Sequence, residues 1–197
     1  MANKDAPFGL RPVGELGSDV NNGGTSKYLI ASGYGTAIYK GDAVVMLATG
    51  YVAVNNDATS LTKNVGVFNG CFYNDPTTQK PTWSNYYPGS ITPTVGDIEA
   101  FVYDDPKRLF VAQCDGTIAL TDIGKNIDTT VTAGSTINGQ SKSELTASTV
   151  NTTAALQWKI VGISKDPENS DADSANANWH VFFNEHLYFS STGITGT

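Results

Sequence analysis

The chain has 197 residues and a formal net charge of −7, from 12 basic and 19 acidic residues. So acidic a chain repels phosphate, which disfavours direct nucleic-acid binding. Hydrophobic residues make up 40% and charged residues 16%, the latter against about 25% in an average domain. Gly (20), Pro (8), Ser, Thr and Asn fill the difference, a composition of strands joined by turns, and an aromatic share of 10% argues against disorder.

Residues 1–26 show little periodicity and carry Pro7, Pro12 and several glycines, which predicts an extended N-terminal arm. Phe8, Leu10 and Val13 give it apolar anchors, so it packs along its own domain or along a neighbour. Residues 27–189 read as a β-domain. Short apolar runs at 28–31 and 37–39 precede the strongest buried strand, AVVMLA at 43–48, which turns at Thr49 and Gly50 into the alternating run 51–54. Residues 65–73 form a long strand in which Gly66 and Gly70 mark a bulge or a close backbone approach. Residues 74–95 are predicted as a long loop with four prolines and three aromatics, Trp83, Tyr86 and Tyr87.

The stretch 101–126 holds a strand, a turn at Asp104, Asp105 and Pro106, a second strand, and one or two helical turns over 120–126. Residues 128–150 are rich in Ser and Thr and read as strand, loop, strand. The run 154–163 alternates, 164–178 is an acidic exposed loop, 179–189 is a last apolar strand, and 190–197 is a flexible tail. The whole predicts an all-β fold of about ten strands with one short helical turn, leaving sandwich and barrel both open. The N-terminal residues lack the apolar core of a signal peptide, and no run approaches the roughly 18 apolar residues of a membrane span. A soluble chain made in a cytoplasm is expected.

A search for chemistry returns little. Cys71 and Cys114 sit in predicted strands and read as small buried hydrophobes, although a disulfide is open from spacing alone. His180 and His186 are six residues apart in one predicted strand, about 20 Å at strand rise, too far to share a metal. Asp171 and Asp173 have the i, i+2 spacing of a calcium loop, but Asn176 and Phe182 stand where that loop needs Gly and Glu. No nucleophile elbow, phosphate cradle or facing carboxylate pair is present, so an enzyme is not expected and neither catalytic residues, metal nor cofactor are assigned.

Several segments taken together resemble a family of tailed-bacteriophage virion proteins, encoded near the major capsid protein, chiefly in marine phages. They are NKDAPFGLRPVG (3–14), YKGDAVV (39–45), YDDPKRLFVAQ (103–113), DIGKN (122–126), NGQS (138–141) and the 156–169 run with its Asp-Pro-x-Asn turn. The resemblance implies a decoration (cement) protein on the outer capsid surface, a homo-oligomer (trimer or dimer) with the major capsid protein as partner. It implies no cofactor, no nucleic acid and no membrane, and localisation to the virion after synthesis in the host cytoplasm. The family supplies no catalytic residues to carry over. On this reading the arm crosses a capsid joint and buries Phe8, Leu10 and Val13, with Arg11 pairing an acidic capsid patch. The alternatives are a host- or glycan-binding module using Trp83, Tyr86 and Tyr87 together with the acidic loop, or a neck or tail structural protein.

Overall fold

The computed structural model describes residues 2–17, 24–56 and 63–190. The chain is all-β and sandwich-like, not a closed barrel. Its strands in order are β1 (Arg11–Glu15), β2 (Ser26–Ile30), β3 (Ala43–Met46), β4 (Val52–Val54), β5 (Asn64–Asn74), β6 (Pro81–Ser84), β7 (Ile98–Tyr103), β8 (Arg108–Gln113), β9 (Asn126–Ile127), β10 (Thr129–Thr130), β11 (Glu144–Leu145), β12 (Trp158–Ile163) and β13 (Asn178–Phe183). Three single 3₁₀ turns follow at Leu120–Asp122, Ala147–Thr149 and Leu187–Phe189.

Sheet I has the antiparallel order β1-β8-β13-β12-β9, and sheet II the order β2-β7-β5-β3-β4 with β6 added beside β5. β10 and β11 form a separate two-stranded ribbon. The two edges of sheet II, β2 and β4, approach each other, so the sheet curls without closing. The expected 43–54 hairpin is present, as β3 and β4 paired Val44 to Val54. The link at Asp104, Asp105 and Pro106 is a turn as expected, with Asp105 Oδ1 accepting from the Lys107 N–H at 2.8 Å. It carries the chain from sheet II to sheet I, because β7 pairs with β2 and β5 while β8 pairs with β1 and β13.

Two apolar clusters fill the fold. One lies on the inner face of sheet I, where Phe110, Trp158 and Phe183 pack edge-on or tilted with centroids 4.7–5.7 Å apart. The other lies within the curl of sheet II, around Val44, Phe68, Val102 and Tyr87. Cys71 and Cys114 are free, buried, and divided between these clusters, so they do not pair. Burial pushes both thiols up to about 12. Gly66 and Gly70 do what strand glycines were expected to do. A Cβ on Gly66 would stand 2.3 Å from Val102 Cγ1 and 2.5 Å from the Tyr103 carbonyl, and the register shifts between Phe68 and Gly70.

Four expectations are corrected. The arm is not patternless: residues 11–15 are β1, hydrogen-bonded to β8, and Leu10 is core. The 74–95 loop contains β6, a short edge strand that opens on Pro81, where a missing N–H costs nothing. The 120–126 helix shrinks to one 3₁₀ turn. The last strand stops at Phe183, because Asn184 turns its amide to the carbonyls of Ala154 and Leu156. Of the predicted tail only Ser190 is described; 191–197 lie outside the described residues.

Gly41 and Asp42 join the parts. Gly41 takes φ +98, accepts from Leu10 N at 2.8 Å and donates to Phe68 O at 2.8 Å. Asp42 is 1% exposed. Its Oδ1 accepts from Ser141 and Ser143 hydroxyls at 2.5 and 2.9 Å, and its Oδ2 accepts from Tyr39 N–H at 2.8 Å. Burial pushes its pKa up, while the three donors pull it back. Asp42→Ala leaves three donors unsatisfied and is expected to cost about 3 kcal/mol or more in urea unfolding, and Asp42→Asn less. Since the native pKa is raised, Asp42's contribution is greatest in acid and is lost as pH rises through the native pKa. The margin of wild type over the Asn variant therefore widens as pH falls from neutral toward about 4.

Candidate functional site

The polar side chains that converge in this molecule bind its own backbone. Gln113, buried in β8, accepts from Ala6 N at 2.9 Å and donates to the Lys4 and Asn176 carbonyls at 2.8 and 3.0 Å. Asn169 donates to Lys4 O and Asn176 O, both at 2.7 Å, and Asn3 reaches back to the Asp171 and Ala175 carbonyls at 2.8 and 2.9 Å. Gln140 donates to Phe8 O and Lys40 O at 2.5 and 3.0 Å. A Cβ on Gly9, at φ +71, would lie 2.6 Å from Ser141 Cβ. These groups come from segments far apart in sequence, and together they stitch residues 3–10 onto the domain.

That stitching places the four arm residues proposed for capsid contact. Leu10 is 2% exposed and sits in the sheet I cluster, so it is withdrawn from any outward role. Phe8 is half-buried with the Arg11 guanidinium 4.3 Å over its ring. Arg11 and Val13 are exposed on β1. The acidic loop carries the clamp on Asn3, and Asp171 spends its own carboxylate on Asp173 N and Ser174 Oγ. Among the described residues no group of three or more His, Cys, Asp or Glu is placed to hold a metal. Also among them, no helix is long and apolar enough to cross a membrane.

The three aromatics proposed for ligand contact separate. Tyr87 is fully buried, bridges to Ile38 and donates its hydroxyl to Tyr34 O at 2.7 Å, which removes it from any binding face. Tyr86 is half-buried and stacks on Tyr39 at 5.4 Å. Trp83 is 49% exposed on β6. It lies on the outer face of sheet II with partners that sequence reasoning missed.

Register builds that face. Trp83 stands opposite Phe72, Phe72 opposite Glu99, and Glu99 opposite Leu29, a row crossing four strands and about 14 Å wide at normal strand spacing. In the next row Gly70 stands opposite Phe101, and Phe101 opposite Lys27. The Trp83 indole leans over Gly70 and meets the Phe101 ring at 4.9 Å. Lys27 Nζ lies 5.6 Å from the same ring and pairs with Glu99 at 2.8 Å. Phe72, Trp83 and Leu29 are all exposed. The available signal was the alternation of β2, β5 and β7, which puts Lys27, Leu29, Phe72, Glu99 and Phe101 on faces opposite the buried Ile30, Cys71 and Ala100. The pairing that gathers them is tertiary.

Comparison with protein-family models, curated proteins and solved structures finds no match to this chain.

Gly70 is what lets the indole lie flat. A Cβ there would stand 2.6 Å from Trp83 Cζ2 and 2.9 Å from Ser84 O. Trp158 and Trp179 are fully buried, so iodide quenching of tryptophan emission reports Trp83 alone. Gly70→Ala is expected to raise the quenching constant by tipping the ring outward; an unchanged constant contradicts this packing.

Proposed function

We propose that this chain is a non-enzymatic structural protein of a tailed-phage virion that binds the outer capsid surface and stabilises the shell, with the outer face of sheet II as its contact. One observation carries the reading: a sheet face gathers Trp83, Phe72, Phe101 and Leu29 at the surface, while the convergent polar side chains are used inside. Exposed contiguous apolar faces of this kind suit protein association. The sequence resemblance described above supplies the partner class, the major capsid protein. Arg11 and Val13, exposed on β1, remain available as a second contact. Assembly as a dimer or trimer multiplies a modest contact into avidity over a repeating shell.

The mechanism differs from a free strap. The arm is committed to its own domain through Leu10 and β1, so its removal acts on the fold before it acts on the capsid. Contact energy comes instead from burying aromatic surface, where Trp is the usual hot spot. Trp83→Ala is expected to weaken retention on purified heads by about 30-fold, or ~2 kcal/mol, in a cosedimentation titration, with the unfolding midpoint little changed. Heads that bind wild type and variant equally, or whose stability does not respond to the protein, overturn the reading. Labelled protein found at the neck or tail in virion images replaces the capsid with that site.

A second reading has its own observation. The Trp83 ring is flanked on the same face by the Lys27–Glu99 ion pair, so an apolar plate lies beside hydrogen-bonding groups, the arrangement that sugar rings stack on. A glycan array with the isolated protein tests it: specific binding that disappears in Trp83→Ala favours a host- or glycan-binding module, and an empty array removes it.

A further inference from the structure

His186 sits where the two sheets meet. It follows β13 of sheet I and reaches β5 of sheet II, its backbone bridging Asn64. The ring is 3% exposed. Its Nε2 lies 3.0 Å from the Val65 carbonyl oxygen, and the Tyr188 N–H donates to its Nδ1 at 3.2 Å. A carbonyl at Nε2 and an N–H at Nδ1 favour the neutral ring with its proton on Nε2, although the backbone of Asp104, like that of Val65, favours a protonated ring. A second proton, on Nδ1, would set two N–H groups against each other and break the cap of the Leu187–Phe189 turn.

Other contacts hold that turn as well. Leu187 packs against the sheet II cluster. The Tyr188 hydroxyl meets the Tyr28 hydroxyl at 3.0 Å, and Tyr28 in turn donates to Asp104 at 2.8 Å. The His186 ring packs on Phe183 at 4.8 Å and on Tyr188 at 5.7 Å. Beside it runs an apolar groove of about 400 Å³, lined by Leu16, Pro106, Phe182, Phe183 and Phe189.

We propose that His186 is an acid-released latch: protonation of its ring undocks the Leu187–Phe189 turn from the joint between the sheets and widens this groove. Charge and burial act on the ring in opposite directions. Asp104 and Asp105, on the β7–β8 link, favour the protonated ring. Lys107 lies on the groove, and Lys63 hydrogen-bonds Ser190 at the end of the turn. Glu185 is the neighbouring charge on His186's own segment. Arg108 and Glu15, next in the chain to the groove residues Lys107 and Leu16, face each other at 4.0 Å. Burial outweighs the carboxylates and holds the ring below its ordinary value of 6.5. The unfolded or released ring therefore binds its proton at higher pH than the docked one. The latch holds above about 6.5 and loosens as pH falls below it.

The test uses nuclear magnetic resonance on the full chain carrying His180→Gln, which leaves His186 as the only histidine of the two. From about pH 7.5 to about pH 5.5, the protection of the Tyr188 amide, corrected for intrinsic exchange, is expected to fall several-fold, to a limit of about tenfold. The Val181 amide in β13 is expected to keep its protection, which separates latch release from unfolding. His186→Gln, added to the same background, is expected to abolish the pH dependence. Tyr188 protection that is constant while the ring titrates, an equal fall in the Gln variant, or loss of Val181 in step with Tyr188 each overturns the latch.

Discussion

Asp42 is buried with its carboxyl group among three donors, and the parts of the fold it joins are otherwise distant in sequence. Its turn takes the backbone of Leu10 on one side and of Phe68 on the other, while its carboxylate gathers Ser141 and Ser143 from the 131–143 connection. Removing such an acceptor exposes every partner at once, because buried donors without an acceptor cost more than a hydrogen bond returns. The arm, sheet II and the long Ser- and Thr-rich connection therefore stand or fall together.

The second constraint is the crossing between sheets. β7 and β8 are adjacent in sequence, but the tight link at Asp104, Asp105 and Pro106 sends them to different layers. Arg108, fully buried at the start of β8, lies 5.6 Å over the Tyr103 ring at the end of β7. His186 makes a similar crossing at the end of β13. The sheets are thus tied at both crossings, and the Asp42 turn ties the arm to sheet II.

Most of the quoted sequence segments converge on the N-terminal arm. Residues 3–10 are held by Gln113 from YDDPKRLFVAQ, by Asn169 from the Asp-Pro-x-Asn turn, and by Gln140 and Ser141 from NGQS, and they meet Gly41 from YKGDAVV. These segments thus have a structural explanation within the chain: they are the polar stitches of the arm. The stitching side chains are spent on the arm, whereas Arg11 and Val13 of the same segments, and Trp83, Phe72 and Leu29 outside them, are exposed.

Much of the fold was legible in the residues. The β class, the 43–54 hairpin, the long strand around Phe68, the turn before Pro106 and the inert cysteines follow from local propensity and from period-two alternation, which act over a few residues. β1 and β6 were not legible, since Pro12, Pro81 and short polar runs carry no strand period; they are strands only because β8 and β5 offer free edges. Nor was the end of β13, where one Asn amide finds two carbonyls some thirty residues away in sequence. The candidate face was half legible: alternation says that Phe72 and Glu99 turn away from the core, and composition says that Trp83 is nearby. Only the register of four strands sets these side chains in one row with Trp83 outside, and only long-range pairing with Gly41 and Ile38 buries Leu10 and Tyr87. Register is a tertiary quantity, fixed by long-range pairing and by which glycine leaves room for which ring, and no local pattern encodes it.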